Sequence, residues 1–520
     1  MKRLLRIAGW GLLALVVLAL SGLLLADHLT PEANGAPSTA LPVQADATEL
    51  DRELAPLLAA HPGQTGALMV NDGIDAFAAR ALAARKAGRS LDLQYYIWHD
   101  DLAGRLLALE AWNAAERGVR VRVLLDDMNA AGMDSQLLLL DGHPNVELRL
   151  YNPFRNRSGL LRGLELVQRV FSVNHRMHNK AWIADGRVAV LGGRNIGDEY
   201  FGAADEVNFR DLDMVLFGPA VDQASAIFDA YWNSAAAVPL ASLAQAPEGG
   251  FDRVAADTAA RGLTDTHAQR YLQRVAASPR LQDYMHGRLT PYWSTGIQVV
   301  SDPPLKWKQD QQDDWLVTRI VADIATTGHK ALLISPYFVP GDAGSHAMTE
   351  LVAQGRTVGV VTNSLAANDV PAVYGAYVED RDRLLHGGVH VYELRARHGA
   401  VADAGLFGSS GASLHTKAYS VDDRRGFVGS FNLDPRSAYL NTEMGVMFDD
   451  PALARAVREE YLRLAAPTLS YWMYLDDSGN PRWLDRTAAP PTSQGHAPDT
   501  GAMQRFGARF TSWLPLESQL

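Results

Sequence analysis

Internal repetition limits how this chain can fold. The stretch "RMHNKAWIADGRVAVLGGRN" (residues 176–195) sets His178, Lys180 and Asp185 in the pattern H-x-K-x4-D, and "SLHTKAYSVDDRRGFVGSFN" (residues 413–432) repeats it with His415, Lys417 and Asp422. The match runs past the motif. Gly192, Gly193 and Asn195 recur as Gly429, Ser430 and Asn432, all at one offset of 237 residues. One such motif arises by chance in roughly one or two per cent of chains of this composition, and two with matched tails do not. Lysine usage points the same way: only seven of the 48 Lys+Arg residues are Lys, so a lysine at a special position invites a reason. A chain that carries one segment twice is expected to fold as two homologous halves.

The order of elements around each motif agrees. In the first half "GIDAFAARALAARKAG" has helical spacing, "LDLQYYIW" reads as strand, "LAGRLLALEAWNAAERG" as helix and "VRVRVLLDD" as strand, with "VELRLYN" a further strand before the motif. The second half repeats this with "DWLVTRIVADIATTG", "ALLISPYFV", "SHAMTELVAQG", "TVGVVTNS" and "VHVYELR". The expected organisation is an N-terminal anchor or signal (1–30), a polar linker (31–50), a first α/β domain (51–240), a mostly helical connector (241–289), a second α/β domain (290–475) and a tail (476–520). The end of the tail, "FTSWLPLESQL", is expected to pack back on the body.

A net charge of -11 argues against a nucleic-acid partner unless basic residues cluster locally. The absence of cysteine removes disulfides, thiolate nucleophiles and Cys-based zinc sites together. At the N-terminus Lys2, Arg3 and Arg6 precede an apolar run from Ile7 to Ala26. Such a run spans about 30 Å of hydrocarbon and is either a membrane anchor or a signal peptide. No small-x-small cleavage site follows closely, which favours a retained anchor. The basic flank keeps residues 1–6 cytoplasmic and sends the rest to the periplasmic side.

Alternate residues of a strand face one side, so His178 and Lys180 point together, as do His415 and Lys417. Each motif presents a base beside a cation. Asp185-Gly186 is a two-residue hairpin signal, which sets Gly193 opposite His178 and Asn195 one step beyond. The glycine, Gly193 or its counterpart Ser430, and the asparagine of each tail thus belong to the His site. Asp185 lies seven residues along an extended strand, about 23 Å away, so Asp185 and Asp422 read as turn or fold residues. Two halves meeting across a pseudo-twofold axis gather two His, two Lys and two Asn, which suits attack on a phosphodiester. One neutral imidazole attacks phosphorus and the other, protonated, gives its proton to the departing alcohol. The ammonium groups of Lys180 and Lys417 stabilise charge on the non-bridging oxygens and would repel a divalent cation, so no metal or other cofactor is expected.

These residues resemble the phospholipase D superfamily, whose signature is H-x-K-x4-D followed by G-[GS]-x-N. The resemblance implies two α-β-α sandwich domains forming one active site at a pseudo-twofold interface, a covalent phosphohistidine and metal independence. It also implies an acidic residue some thirty positions after each His, and Asp211 in "FRDLDMV" and Glu443 in "NTEMGV" stand there to orient the rings. Within the superfamily, "LDLQYYIWHDD", "GGRNIGDEYF", "GSFNLDPRS" and "LPLES" look like bacterial cardiolipin synthases, closest to the branch thought to use phosphatidylethanolamine as phosphatidyl donor. The implied reaction transfers a phosphatidyl group to phosphatidylglycerol at the membrane, with or without an accessory protein. A hydrolytic phospholipase D releasing phosphatidic acid, and less so a nuclease, share the same machinery.

Other features carry competing readings. "FRNRSGLLRGLELVQRVFSVNHR" sets Leu160, Leu164, Val167 and Phe171 at helical spacing beside Arg155, Arg157, Arg162 and Arg169. It is either a basic amphipathic piece for an anionic bilayer or an ordinary surface helix. Tyr95, Tyr96 and Tyr337 read as core rather than pocket mouth, His99 and His175 as structural, and "LKWKQDQQDDW" as a solvated connector.

Overall fold

The computed structural model describes residues 35–130, 132–157, 174–205, 207–245, 266–309, 311–368, 370–396 and 414–511, with 10, 11, 159, 162 and 165. The expected anchor, most of the basic amphipathic piece and residues 512–520 lie outside these. Among the described residues no helix is long and apolar enough to cross a membrane.

Two large sheets carry the repeat. The first is built from β1 (Thr65–Val70), β2 (Ser90–Tyr95), β3 (Arg120–Asp126), β4 (Val146–Tyr151), β5 (Ala181–Ala184), β6 (Val188–Gly192), β7 (Asp213–Phe217), β8 (Ala237–Pro239) and β9 (Tyr292–Ser294). The second uses β10 (Ile297–Ser301), β11 (Lys330–Ile334), β12 (Thr357–Asn363), β13 (His390–Leu394), β14 (Lys417–Val421), β15 (Arg425–Gly429), β16 (Met444–Asp449), β17 (Ser470–Leu475), β18 (Pro481–Asp485) and β19 (Thr492–Gln494). Their orders are β8-β4-β3-β2-β5-β6-β7-β1-β9 and β10-β16-β15-β14-β11-β12-β13-β17-β18-β19. Read from opposite ends, eight strands of each sheet correspond one to one. In both, three parallel strands (β2 to β4, β11 to β13) abut an antiparallel set that begins with the motif hairpin. The chain passes between sheets after Ser294, the last residue of β9, which pairs with β1.

Local chemistry accounts for the crossovers. Asp72 and Asp101 cap helices Gly73–Lys86 and Leu102–Glu116 by accepting first-turn amides. The parallel strands β2 and β3 are buried along nearly their whole length, because helices cover both faces. Helices Pro219–Trp232 and Pro451–Leu464 sit between the sheets, where Phe228, Tyr231, Leu453 and Val457 join residues of both halves in one core. Helix Ala502–Thr511 of the tail packs against helix Pro371–His386.

The motif hairpins differ from the expected two-residue turn. Ala184 pairs with Val188, and Val421 with Arg425, so three residues connect the strands and the ladder is one residue out of the expected register. Continued, it brings Gly193 opposite Asn179 rather than His178. Asp185 and Gly186 do form a turn at positive φ (56° and 64°), as do Asp422 and Asp423 (54° and 51°). The extra residue is an arginine pulled outward by an acid: Arg187 bonds Asp51 at 2.6 Å, and Arg424 bonds Asp449 at 2.7 Å.

Candidate active site

His178 and Lys180 stand just before β5, and His415 and Lys417 at the start of β14, where the two sheets face each other. Backbone bonds stitch the halves at this seam. The His178 amide donates to the Thr442 carbonyl at 2.8 Å, the Thr442 amide to Arg176 at 2.9 Å, and the His415 amide to Arg210 at 2.8 Å. Each motif strand thereby lies against the segment of the other half that carries an acidic residue.

The consequence is a crossed pairing. His178 Nδ1 lies 2.8 Å from Glu443 Oε2, and His415 Nδ1 lies 2.6 Å from Asp211 Oδ2. Sequence distance suggests that each carboxylate serves the histidine of its own half; the fold exchanges them. With Nδ1 held, Nε2 of each ring is the nitrogen available for chemistry. Glu443 also accepts from Ser430 Oγ, so the variable Gly/Ser position of the tail buttresses the carboxylate. In the first half the equivalent Gly193 makes room instead: a Cβ there would stand 2.2 Å from Asp211 Oδ1.

The electrostatics tie both motifs into one site. Burial, then Lys180 and Lys417, hold His178 well below the usual imidazole range, and burial with Lys417 and Lys180 does the same to His415. Burial drives Lys180 down, against the attraction of Glu443. Glu443 is pushed up to about 7 by burial, although Lys180 pulls the other way, and burial raises Asp211 too. Lys180 Nζ donates to the His178 carbonyl at 2.5 Å and Lys417 Nζ to the His415 carbonyl at 2.6 Å, which anchors each ammonium beside its own imidazole.

Asp185 accepts the amides of Gly88, Arg89 and Ser90 at 3.0, 2.7 and 2.9 Å. Asp422 accepts those of Gly328, His329 and Lys330 at 2.7, 2.7 and 2.9 Å. Both carboxylates tie the far end of the hairpin to the start of β2 or β11. Gly192 and Gly429 sit in close-packed ladders, where a Cβ would meet Leu212 or Met444 carbonyl oxygen at 2.5 Å. Asn195 Oδ1 accepts the Ile97 amide at 3.3 Å and its Nδ2 donates to Tyr200 Oη at 2.9 Å. Asn432 donates its backbone amide to Ser437 Oγ at 3.3 Å, and its buried Oδ1 finds no hydrogen-bond partner among the described residues. Tyr95 is core and accepts from Arg80. His99 is part-exposed, 3.3 Å from Glu199, and His175 stacks on Trp307 at 4.9 Å.

Tyr96, expected in the core, stands against His178 instead, and Tyr200, Phe209 and Lys306 are further residues that no motif marks. Tyr96 meets the His178 ring edge-on at 5.0 Å and lies under Lys180 Nζ at 5.5 Å. Tyr200 and Phe209 flank His415 at 5.1 and 5.6 Å. Lys306, expected in a solvated connector, is fully buried. Only the scarcity of lysine hinted at it.

A family model described as "Cardiolipin synthase, PLD-like domain" matches residues 83–232 and 320–465. The chain belongs to this family of phospholipase D-like enzymes. It is 40% identical to cardiolipin synthase C of Escherichia coli K12 over 89% of this chain and 98% of that protein. It is 26% identical to a cardiolipin synthase of Staphylococcus aureus over 75% of this chain and 65% of that one. Among solved structures, phosphatidylserine synthase of Haemophilus influenzae shares the fold, with a TM-score of 0.53 at 14% identity over 80% of this chain and 91% of that one. Both family matches contain one complete motif with its tail, and the crossed dyads join the two.

Proposed function

We propose that this chain is a phosphatidyltransferase that makes cardiolipin from phosphatidylglycerol and a second phospholipid, phosphatidylglycerol or phosphatidylethanolamine, through a phosphohistidine. The observation that carries the reading is the crossed pair of carboxylate-held imidazoles with a lysine anchored beside each. The high identity to cardiolipin synthase C along nearly its full length supports the choice of substrates.

Burial and the two lysines favour neutral rings, and a phosphodiester anion entering beside Lys180 and Lys417 offsets their charge. The two dyads then differ by one proton. In one, an ionised Glu443 accepts from Nδ1–H and leaves the His178 Nε2 lone pair free to attack phosphorus. In the other, a proton between Asp211 and Nδ1 leaves Nε2–H of His415 to protonate the departing glycerol or ethanolamine. His415, now short of that proton, takes one from the terminal hydroxyl of phosphatidylglycerol, whose oxygen displaces Nε2 of His178 from phosphorus. Cardiolipin leaves and the starting protonation returns. The N-terminal apolar run anchors the chain in the inner membrane with the catalytic part on the periplasmic side.

The test is mass spectrometry of products from vesicles of isotope-labelled phosphatidylglycerol, with and without phosphatidylethanolamine, for wild type, His178→Ala and His415→Ala. Labelled cardiolipin from wild type alone is expected, with free ethanolamine when phosphatidylethanolamine is the donor. Phosphatidic acid without cardiolipin would instead make the chain a hydrolase. Turnover should survive EDTA, and a strict requirement for a divalent ion would overturn the mechanism.

A further inference from the structure

Beneath Glu443 lies a buried ion pair that belongs to neither repeated motif. Lys306 and Asp302, both fully buried, meet at 3.0 Å. Asp302 grips residue 443 from both sides: its Oδ2 accepts the Glu443 amide at 2.9 Å, and its own amide donates to the Glu443 carbonyl at 2.8 Å. Its Oδ1 accepts the Leu316 amide at 2.8 Å. Lys306 Nζ spends its other two protons on the carbonyls of Ser437 and Asn441, at 3.1 and 3.0 Å, which hold the segment leading into Glu443.

The repeat shows what this pair does. In the first half Arg194, the variable residue of G-G-x-N, donates to the Asp211 carbonyl at 2.7 Å and to Asn71, Val70 and Tyr200. It thus fastens the segment that bears the carboxylate of His415. The same position of the second half is Phe431, which donates nothing from its side chain. The cation missing there arrives from the turn at residues 302–308.

We propose that Lys306, acting with Asp302, is a positioning residue that sets Glu443 and through it His178, as Arg194 does for Asp211 and His415. This rests on the phosphatidyltransferase reading above. It predicts that the effect of Lys306 passes through Glu443 and spares the other dyad.

The full-length protein in vesicles of labelled phosphatidylglycerol tests this with Lys306→Met, the charge-balanced pair Asp302→Asn/Lys306→Met, and each combined with Glu443→Gln. Turnover should fall at least about tenfold when the ion pair is removed from wild type, and less than about twofold when it is removed from the Glu443→Gln background. Equal losses in both backgrounds, or no loss in wild type, would overturn the proposal. A second readout needs no turnover: carbethoxylation of His178 and His415 by diethylpyrocarbonate, mapped by peptide mass spectrometry from pH 5 to 8. The charge-balanced variant should change the His178 rate at least about threefold while His415 stays within about 1.5-fold. An equal change at both rings, or none at His178, counts against it. A chain that shows this selectivity yet makes no cardiolipin would refute the transferase reading and leave the positioning role standing.

Discussion

Gly193→Ala adds one methyl group at the tightest point of the His415 dyad. An ideal Cβ there lies 2.2 Å from Asp211 Oδ1, 2.7 Å from Oδ2 and 2.8 Å from Cγ, so the whole carboxylate meets it. The nearest oxygen is about 1 Å inside van der Waals contact. Asp211 cannot slide freely, because its Oδ1 accepts the Leu212 amide at 2.8 Å and its carbonyl is held by Arg194. A retreat of about 1 Å breaks the 2.6 Å bond to His415, and a charge-assisted hydrogen bond of this kind is worth about 1.5–3 kcal/mol. Turnover is therefore expected to fall by about 10- to 200-fold, in line with the cost of a misplacement of about 1 Å at an acid-base group. The second half supplies a compensated version of the same contact, Ser430 beside Glu443, with the hydroxyl bonded to the carboxylate. Gly193→Ser/Asp211→Glu copies that pair and should recover to within about tenfold of wild type. The assay is cardiolipin formation from labelled phosphatidylglycerol, with a thermal melt to establish folding. A folded Gly193→Ala protein with wild-type turnover would refute the claim that the Asp211 position matters.

Other outcomes follow from the same geometry. Asp185→Ala strands three backbone amides at the start of β2 and should cost about 2–4 kcal/mol in urea unfolding, while activity per folded molecule stays within about threefold. A large loss of turnover without loss of stability would make Asp185 a site residue instead. Asp434 is pushed up to about 7 by burial, so the folded state holds its proton while the unfolded state releases it above about 4. Its contribution to stability is present at low pH and lost as the pH rises through 7. Asp434→Asn keeps the acceptor for the Ser437 amide without that loss, so its melting temperature should gain more over wild type at pH 8 than at pH 5. A gain that is independent of pH would refute the assignment.

Much of the architecture was legible because the repeat is a property of the chain itself. Alternation of apolar residues sets strands, capping acids start helices, and a matched offset of 237 residues requires the same strand order twice. Asp185 and Asp422 could be set at the far end of the hairpin from the histidines because extended chain has a fixed rise per residue. Register was less secure. The Asp185-Gly186 signal predicts the turn, but Arg187 is excluded from the ladder by its bond to Asp51, a partner 136 residues away.

The site divides along the same line. That two imidazoles and two ammonium groups stand at equivalent points of two similar units follows from the residues alone, since each motif is a few residues long and strand geometry orients it. Which carboxylate holds which ring depends on how the two halves dock. Asp211 is 33 positions from His178 in sequence but bonds His415, because the segments that lead into interior strands of the two sheets pair with each other at Thr442 and Arg210. The same holds for the aromatic walls at Tyr96, Tyr200 and Phe209, and for Lys306. A buried cation is chosen by the acceptors that surround it in three dimensions, and those of Lys306 lie up to 135 residues away along the chain.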